Sequence, residues 1–225
     1  AMQGSDYLPN MSFPAIQAML FTRTFGPDGT PEDSFLGSGF RDEFDLFVTA
    51  YHNVEDERTI VITTANGQIV LPACRFRQMP FHDIAYVKLE AGEYSILGLK
   101  KASYERCEPD VGEKHFACIY GPENHSMGSV QGIQDFGQVV YTGSTAKGYS
   151  GAPYVSHHKV LGMHLGHGVM NGGPSGAYMK SLFENRQESS EDVLIRHMRN
   201  EVRRGKDIQW QNVPTDPDSV VVKWG

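Results

Sequence analysis

The sequence predicts an all-β fold, either a sandwich or a pair of barrels, with one helix near the end of the chain. Short runs rich in β-branched and aromatic residues recur through the 225 residues, with Gly, Pro, Asn and Asp between them. No long helical pattern occurs before residue 180. A polar region, residues 91–112, divides these runs into two groups. Many short strands of this kind are typical of sandwiches and barrels.

The first half contains at least five predicted strands after a loose start. Residues 1–12 are polar and are predicted to be flexible or a cloning remnant. Residues 14–23 fit a strand or a short helix, and residues 25–31 fit a turn. Asn66-Gly67 is typical of a hairpin turn. The predicted strands are residues 35–40, 45–50, 58–64, 68–71 and 83–89.

The second half repeats this pattern and ends differently. Its predicted strands are residues 114–120, 127–131, 137–141, 153–156 and 160–165. Ser189 begins a run that resembles a capping box, with Asp192 in place of the usual Glu or Gln. Apolar residues from Val193 to Val202 share one helical face, and Gly205 suits the end of that helix. The extension, residues 207–225, contains a β-like segment at 220–224.

Composition limits the classes of function. Hydrophobic residues make up 40% of the chain and charged residues 21%, as in ordinary soluble domains. The formal net charge is −7, which disfavours nucleic acid as the main ligand. No apolar run reaches the roughly 18 residues of a membrane span. The start, Ala-Met-Gln-Gly-Ser, lacks the charged and apolar regions of a secretory signal.

We expect no disulfide, metal or cofactor. Three cysteines without a Cys-x-x-Cys spacing favour reduced thiols in a cytosolic protein. His157-His158 and the pair His164 and His167 are close in sequence, but adjacent strand residues point to opposite faces. No cysteine or carboxylate joins them at a zinc spacing. The cysteines are Cys74, Cys107 and Cys118.

One serine lies where a nucleophile could be activated. Ser150 stands between Tyr149 and Gly151, in a run of small residues that starts at Thr145 and includes Gly148. A serine hydroxyl is a poor nucleophile until a base and free backbone N–H groups lie beside it. Glycines allow the tight backbone bend that such a site requires.

A base and a carboxylate precede Ser150 in the chain. His52 follows a Thr-Ala-Tyr run at the end of one predicted strand, and Asp83 stands before Ile-Ala at the start of another. An isolated histidine or aspartate is more often structural or solvated. The ordered combination of the two with Ser150 predicts a Ser-His-Asp site.

These motifs resemble those of the chymotrypsin-like serine proteases. The shared features are the order His, Asp, Ser and the runs Thr-Ala-x-His, Asp-Ile-Ala and Gly-x-Ser-Gly, over residues 35–168. The runs Gly-Tyr-Ser-Gly-Ala-Pro and Gly-Met-His-Leu-Gly are most similar to sobemovirus-type polyprotein proteases, followed by astrovirus-type proteases. The resemblance implies a double β-barrel with the active site between the barrels.

By this resemblance, His52 is the general base and acid, Asp83 orients it, and Ser150 attacks the scissile carbonyl. The N–H groups of Gly148 and Ser150 then form the oxyanion hole. Tyr149 stands where digestive members carry the Asp that pairs with a new N-terminus, so activation by that insertion is not expected. A second Gly-x-Ser-Gly, around Ser175, is disfavoured because it lies in an Asn-Gly-Gly-Pro turn with little β-rich chain after it.

The same resemblance assigns a specificity pocket. His164 and Thr145 match the imidazole and hydroxyl of viral proteases that cleave after Glu or Gln, and both groups can hydrogen-bond a carboxylate or amide. Gly168 belongs to the same histidine motif. Asn171 adds a third polar group, although its spacing departs from the family pattern. No acidic residue lies between Val139 and His164, which disfavours cleavage after Lys or Arg.

The predicted organisation has five parts, and the resemblance implies that the active site lies between the two barrels. We expect a monomeric serine endopeptidase that cleaves a viral polyprotein in the host cytoplasm, after Glu in preference to Gln. Membrane association would come only through other parts of a precursor. The tail is predicted either to contact a neighbouring polyprotein domain or to pack as an ordinary extension. The parts are a flexible segment (1–12), an N-terminal barrel (13–95), a connector (96–112), a C-terminal barrel (113–185), and a helix with extension (186–225).

Two alternatives stay open at this stage. A protease fold kept as a scaffold could dock replication proteins or RNA, which the complete triad argues against. A glutamyl endopeptidase of non-viral origin would also fit the pocket, but those enzymes are secreted and the sequence shows no secretory signal.

Overall fold

The computed structural model describes residues 6–157, 159–166, 171–186, 190–206, 208–212 and 220–224. Two curled sheets dominate it, and the all-β prediction is confirmed. The strands are β1 (Leu8–Pro9), β2 (Gln17–Phe25), β3 (Pro31–Arg41), β4 (Leu46–Thr49), β5 (Thr59–Thr63), β6 (Gln68–Pro72), β7 (Arg77–Gln78), β8 (Ala85–Lys88), β9 (Ser103–Tyr104), β10 (Lys114–Tyr120), β11 (Asn124–Gly132), β12 (Gln138–Tyr141), β13 (Pro153–Ser156), β14 (Lys159–Met163), β15 (Asn171–Pro174), β16 (Ile208–Asn212) and β17 (Val220–Trp224). The α-helices are α1 (Ala91–Leu97), α2 (Gly176–Glu184) and α3 (Ser190–Arg203).

The first sheet has the strand order β6-β5-β2-β3-β4-β8-β7. Residues 14–23, for which a strand or a helix was open, contribute to β2. β5 and β6 form the hairpin that Asn66-Gly67 predicts. In β6, side chains alternate between exposed and buried, so that Ile69 and Leu71 enter the core. Each fully buried side chain of this size stabilises the fold by about 1.5–3 kcal/mol.

The second sheet has the order β15-β12-β11-β10-β13-β14-β9, with β1 paired to β11. All five strands predicted for this half form. Its core contains two stacked tyrosines, Tyr141 and Tyr154, with ring centroids 4.9 Å apart. Burial of these large rings contributes to closing the sheet around one apolar interior.

A cluster of apolar side chains from both sheets and from α2 packs where the two sheets meet. It places the last residues of β4 and the first of β8 opposite the β12–β13 connection, which carries Ser150. Within the cluster, Tyr86 meets Phe183 edge to face, with centroids 5.5 Å apart. The fully buried members include Phe40, Val48, Val160, Met163, Met179 and Phe183.

Several short elements differ from the expected pattern, and the helix α2 lies in a region that was predicted to belong to the second barrel. Within the segment predicted to be loose, Leu8–Pro9 pair with β11. Asn171–Pro174, predicted as a turn, is an edge strand beside β12. Glycine permits this close pairing, because a Cβ at Gly172 would lie 2.4 Å from the carbonyl oxygen of Val139. Helix α1 crosses the predicted boundary at 95/96 and buries Tyr94 and Leu97 in the first core.

The C-terminal region contains the predicted helix and one unexpected pairing. α3 covers residues 190–203, and Gly205 follows it with a φ of +87°, which glycine adopts readily. Ser189, the first residue of the predicted capping box, lies outside the described residues. The β-like segment 220–224 pairs with β16, a strand that the sequence did not predict. None of the helices described is long and apolar enough to cross a membrane.

Candidate active site

His52 and Asp83 come together because β4 and β8 are antiparallel neighbours. Thr49, the last residue of β4, lies opposite Ala85, the first residue of β8. A single 3-10 turn over Tyr51–Asn53 then carries His52 back toward Asp83. The Nδ1 atom of His52 lies 2.6 Å from Oδ2 of Asp83, and the backbone N–H of His52 donates to Oδ1 at 2.9 Å. Two contacts therefore fix the orientation of the imidazole ring.

The two groups shift each other's pKa in opposite directions. The hydrogen bond to Asp83 raises the pKa of His52, and burial opposes this rise only in part. For Asp83, burial acts to raise the pKa, but the hydrogen bonds from His52 outweigh it and the pKa is lowered. The carboxylate is thus ionised at neutral pH and stabilises the protonated imidazole.

The pH dependence of cleavage should report this raised pKa. If His52 is the base, it must be neutral to accept a proton, so activity should be lost as pH falls through its pKa. We expect the acidic limb of kcat/KM to have its midpoint above the ordinary histidine value of 6.5. Rates measured from about pH 5 to about pH 8, with NMR titration of the His52 ring, test this. A midpoint below 6.5 would contradict it.

Ser150 lies on a tight turn that two glycines make possible. Gly148 and Gly151 have φ values of +97° and +83°, as their sequence context suggested. A Cβ at Gly151 would lie 2.0 Å from the carbonyl oxygen of Ser38. Tyr149 N donates to the carbonyl of Ala146 at 3.2 Å, whereas in the described part of the chain the N–H groups of Gly148 and Ser150 donate to no backbone carbonyl.

The first sheet holds the Ser150 turn next to His52. The carbonyl oxygen of Ser150 accepts hydrogen bonds from the N–H of Ser38 at 2.9 Å and from Nδ2 of Asn53 at 3.0 Å. Asn53 is buried and also donates to the hydroxyl of Thr49. Asn53 directly follows His52, so one side chain couples the serine turn to the histidine turn. Sequence reasoning did not identify Asn53 or Ser38, because neither belongs to a local motif.

His164 lies beside Ser150 and is in hydrogen-bond contact with the buried Tyr154. The imidazole is 3% exposed, and its Nδ1 lies 2.7 Å from the hydroxyl of Tyr154. A Cβ at Gly166 would lie 3.5 Å from Nε2 of His164 and 3.7 Å from Oγ of Ser150. Both atoms therefore face the same small space. His167 and Gly168, which the sequence grouped with His164, lie outside the described residues.

Thr145 and Asn171 are in direct contact, although the spacing of Asn171 in the sequence departs from the family pattern. The hydroxyl of Thr145 donates to Oδ1 of Asn171 at 2.6 Å, and Nδ2 of Asn171 donates to the carbonyl of Gly143 at 2.8 Å. β15 brings Asn171 there by pairing with Tyr141 of β12. Tyr7 adds a further contact, since its hydroxyl donates to the carbonyl of Thr145 at 2.6 Å.

The rival serine has a structural role. Ser175 is fully buried and caps helix α2, where its hydroxyl oxygen accepts from the N–H of Tyr178. The same hydroxyl donates to buried Glu108 at 2.5 Å. A hydroxyl with both partners inside the protein is not available to a substrate. No group of three or more His, Cys, Asp or Glu side chains among the described residues could hold a metal ion.

Comparisons with known proteins identify the fold. No protein-family model and no curated protein sequence matches the chain. A solved structure concerned with coupled folding and binding of the disordered Sesbania mosaic virus VPg protein aligns with a TM-score of 0.61 at 23% identity, over 83% of this chain and 96% of the other. The serine protease domain of the Sesbania mosaic virus polyprotein aligns with a TM-score of 0.60 at 24% identity, over 82% and 99%. The chain has the chymotrypsin-like fold.

Other chymotrypsin-like proteins match less closely. Neuropsin, a serine protease of mouse brain, has a TM-score of 0.53 at 16% identity, over 80% of this chain and 99% of its own. A serine protease of human pathogenic astrovirus has a TM-score of 0.49 at 19% identity, over 74% and 93%. The resemblance to sobemovirus proteases is confirmed at the level of the fold.

Proposed function

We propose that this protein is a serine endopeptidase in which Ser150 is the nucleophile, His52 the general base and acid, and Asp83 the orienting carboxylate. The observation that carries the proposal is the 2.6 Å contact between His52 and Asp83 beside the Ser150 turn. Solved structures with the same fold include serine proteases of viruses and of animals. A chain kept only as a scaffold would not need this pair or this turn.

The chemistry follows from these positions. Oγ of Ser150 attacks the scissile carbonyl while Nε2 of His52 takes the hydroxyl proton. The Asp83 carboxylate stabilises the imidazolium that forms, and that imidazolium then protonates the leaving amine. The acyl-enzyme is hydrolysed by water in the same two steps, with His52 as base and then as acid. The free N–H groups of Gly148 and Ser150 would hold the oxyanion, and loss of one such donor costs about 3–4 kcal/mol.

The polar groups near Ser150 suit a Gln or Glu side chain before the cleaved bond. Nδ2 of Asn171 donates to the carbonyl of Gly143, so the amide is oriented with Oδ1 toward Thr145. Because the Thr145 hydroxyl donates its proton to this Oδ1, the Thr145 oxygen can only accept a hydrogen bond from a substrate. We assign the Tyr154 hydroxyl as donor to Nδ1 of His164, which leaves the neutral ring with its proton on Nε2. The Nε2–H donor of His164 and the Thr145 oxygen as acceptor match the amide of Gln more fully than the carboxylate of Glu.

Replacement of His164 by leucine should weaken this selectivity without removing the nucleophile. A hydrogen bond to the substrate side chain would be lost, so kcat/KM for peptides with Gln or Glu before the cut should fall by about 10- to 100-fold. Peptides with an apolar residue there should change little. Reaction of Ser150 with an active-site phosphonate should persist, which reports that the site is still folded.

A matched control uses another histidine. His115 is exposed on β10 and paired with Glu113, and His115→Leu should leave the cleavage profile unchanged. If His164→Leu retains the wild-type preference for Gln and Glu, the pocket assignment is wrong.

The biological setting is part of the same proposal. We propose that the substrate is a viral polyprotein, cleaved in the host cytoplasm by a monomer. Trp210 and Trp224 belong to the β16–β17 hairpin, and we propose that this tail contacts a neighbouring polyprotein domain. The related Sesbania mosaic virus structure concerns aromatic interactions in binding of that virus's VPg protein, which supports this role for an aromatic tail.

A peptide-library profile tests the proposed activity. The wild-type chain should cut internal peptide bonds after Gln or Glu, and Ser150→Ala should cut none of them. Cleavage after basic or aromatic residues would contradict the substrate assignment.

A further inference from the structure

A cleft of about 660 Å³ lies where β4 begins and β8 ends. His52 and Asp83 lie at the opposite end of this strand pair. Leu46 lies opposite Lys88 there, whereas Thr49 lies opposite Ala85 at the candidate active site. The cleft does not overlap the site described above. Its walls come from the residues after β6, from β7 and β8, and from the end of α2. The lining residues are Leu46, Cys74, Arg75, Arg77, Tyr86, Val87, Lys88 and Arg186.

Four of these eight lining residues are cationic and none is acidic. Arg75 is held by both carboxylate oxygens of Glu93, at 2.6 and 3.1 Å. Arg186 donates to the carbonyl of Phe183. Arg77 and Lys88 are exposed and form no ion pair with any residue that the structure describes. This concentration of positive charge is unusual for a chain with a formal net charge of −7.

Several cations elsewhere in the described chain are neutralised by a carboxylate. Arg23 pairs with Asp33, Arg41 and Lys101 with Asp45, and Lys180 with Glu43. Arg75 has Glu93 as a counter-ion, whereas Arg77 and Lys88 have none among the described residues. Like charges without a counter-ion repel one another, and a multivalent anion in the cleft would relieve the repulsion between these two. Guanidinium groups bind phosphate oxygens in pairs, and a lysine adds a compact point charge.

The floor of the cleft is apolar and partly aromatic. Leu46 and Val87 are buried beneath it, and the partly exposed ring of Tyr86 is fixed edge to face against Phe183. A fixed aromatic ring beside cations is the arrangement that stacks a base while its phosphates are neutralised. The volume is in the range of about 300–1,000 Å³ that is typical of small-molecule sites.

We infer that this cleft binds a short chain of phosphate groups, carried by a nucleotide or by the backbone of a single RNA strand. Phosphates place more charge in this volume than the carboxylates of an acidic peptide, each of which stands on a flexible stem. The negative charge of the rest of the protein confines such a ligand to the cleft, so only a short stretch of a strand is held. This binding is independent of cleavage at Ser150.

The test uses charge reversal in the full chain. Inorganic tripolyphosphate, followed by calorimetry, and a labelled uridine oligonucleotide of about ten residues, followed by fluorescence anisotropy, are the probes. Arg77→Glu with Lys88→Glu should weaken binding of both probes by more than about tenfold. It should also reduce the slope of log K against log salt concentration for the oligonucleotide by about two, one for each cation removed. Lys114→Glu with Arg203→Glu makes the same change in net charge at exposed positions elsewhere and should bind like wild type. Both double variants should cleave peptides normally.

Each outcome decides a specific point. Tighter binding of the oligonucleotide than of tripolyphosphate identifies an RNA strand as the source of the phosphates, and the reverse order identifies a free nucleotide. The inference is overturned if neither probe binds saturably, or if Arg77→Glu with Lys88→Glu binds like wild type. It is also overturned if an oligoglutamate peptide binds as tightly as tripolyphosphate.

Discussion

Ser150→Ala should lower kcat by about 10⁶-fold, the largest effect that we expect from a single substitution. Without the hydroxyl no acyl-enzyme forms, and the remaining groups cannot activate water to the same extent. The fold should persist, because the contact of the hydroxyl with the carbonyl of Leu165 is long, at 3.4 Å. Cleavage of a Gln-containing peptide and thermal unfolding of both proteins test the two statements.

Ser175→Ala is the matched control, since Ser175 has the same Gly-x-Ser-Gly context. Loss of the helix cap should destabilise the protein by about 1 kcal/mol, and buried Glu108 would lose a donor at a further cost of about 1–3 kcal/mol. Cleavage below the lowered melting temperature should nevertheless be retained. If Ser175→Ala abolishes cleavage and Ser150→Ala does not, the assignment of the nucleophile is wrong.

Asp83→Asn should lower kcat by about 10⁴-fold with little change in stability. An asparagine at this position can donate its amide N–H to Nδ1 of His52, which favours the tautomer with the proton on Nε2. That nitrogen then cannot accept the proton of Ser150. Because the carboxylate also raises the pKa of His52, the acidic limb of the residual activity should move to lower pH.

Asp56→Asn is a suitable control for this variant, because Asp56 is exposed and follows the same 3-10 turn. It should retain wild-type activity and the wild-type pH profile. Activity of Asp83→Asn within a few-fold of wild type would show that the 2.6 Å contact is not part of the chemistry.

The sequence was most informative where local chemistry determines the structure. The hairpin at Asn66-Gly67, most strand positions and the two positive-φ glycines beside Ser150 all follow from short patterns. His52, Asp83 and Ser150 were recognisable because each has a characteristic local context. Their convergence could be expected from the resemblance, but the distances required the folded chain.

The contacts that the sequence did not reveal all join distant segments. Asn53 reaches the carbonyl of Ser150 across 97 positions of the chain, and Tyr7 reaches Thr145 across 138. No local periodicity encodes such pairs. β15 was missed for a different reason, since Asn-Gly-Gly-Pro has turn propensity and becomes a strand only through its pairing with β12.

Ser150 is proposed to be a nucleophile that His52 and Asp83 activate. The most direct test is reaction with a phosphonate that carries a Gln-like side chain, followed by intact mass and peptide mapping. We expect one adduct per chain, on Ser150, formed far more slowly in Asp83→Asn and not at all in Ser150→Ala. An adduct on another residue, or equal rates for wild type and Asp83→Asn, would contradict it.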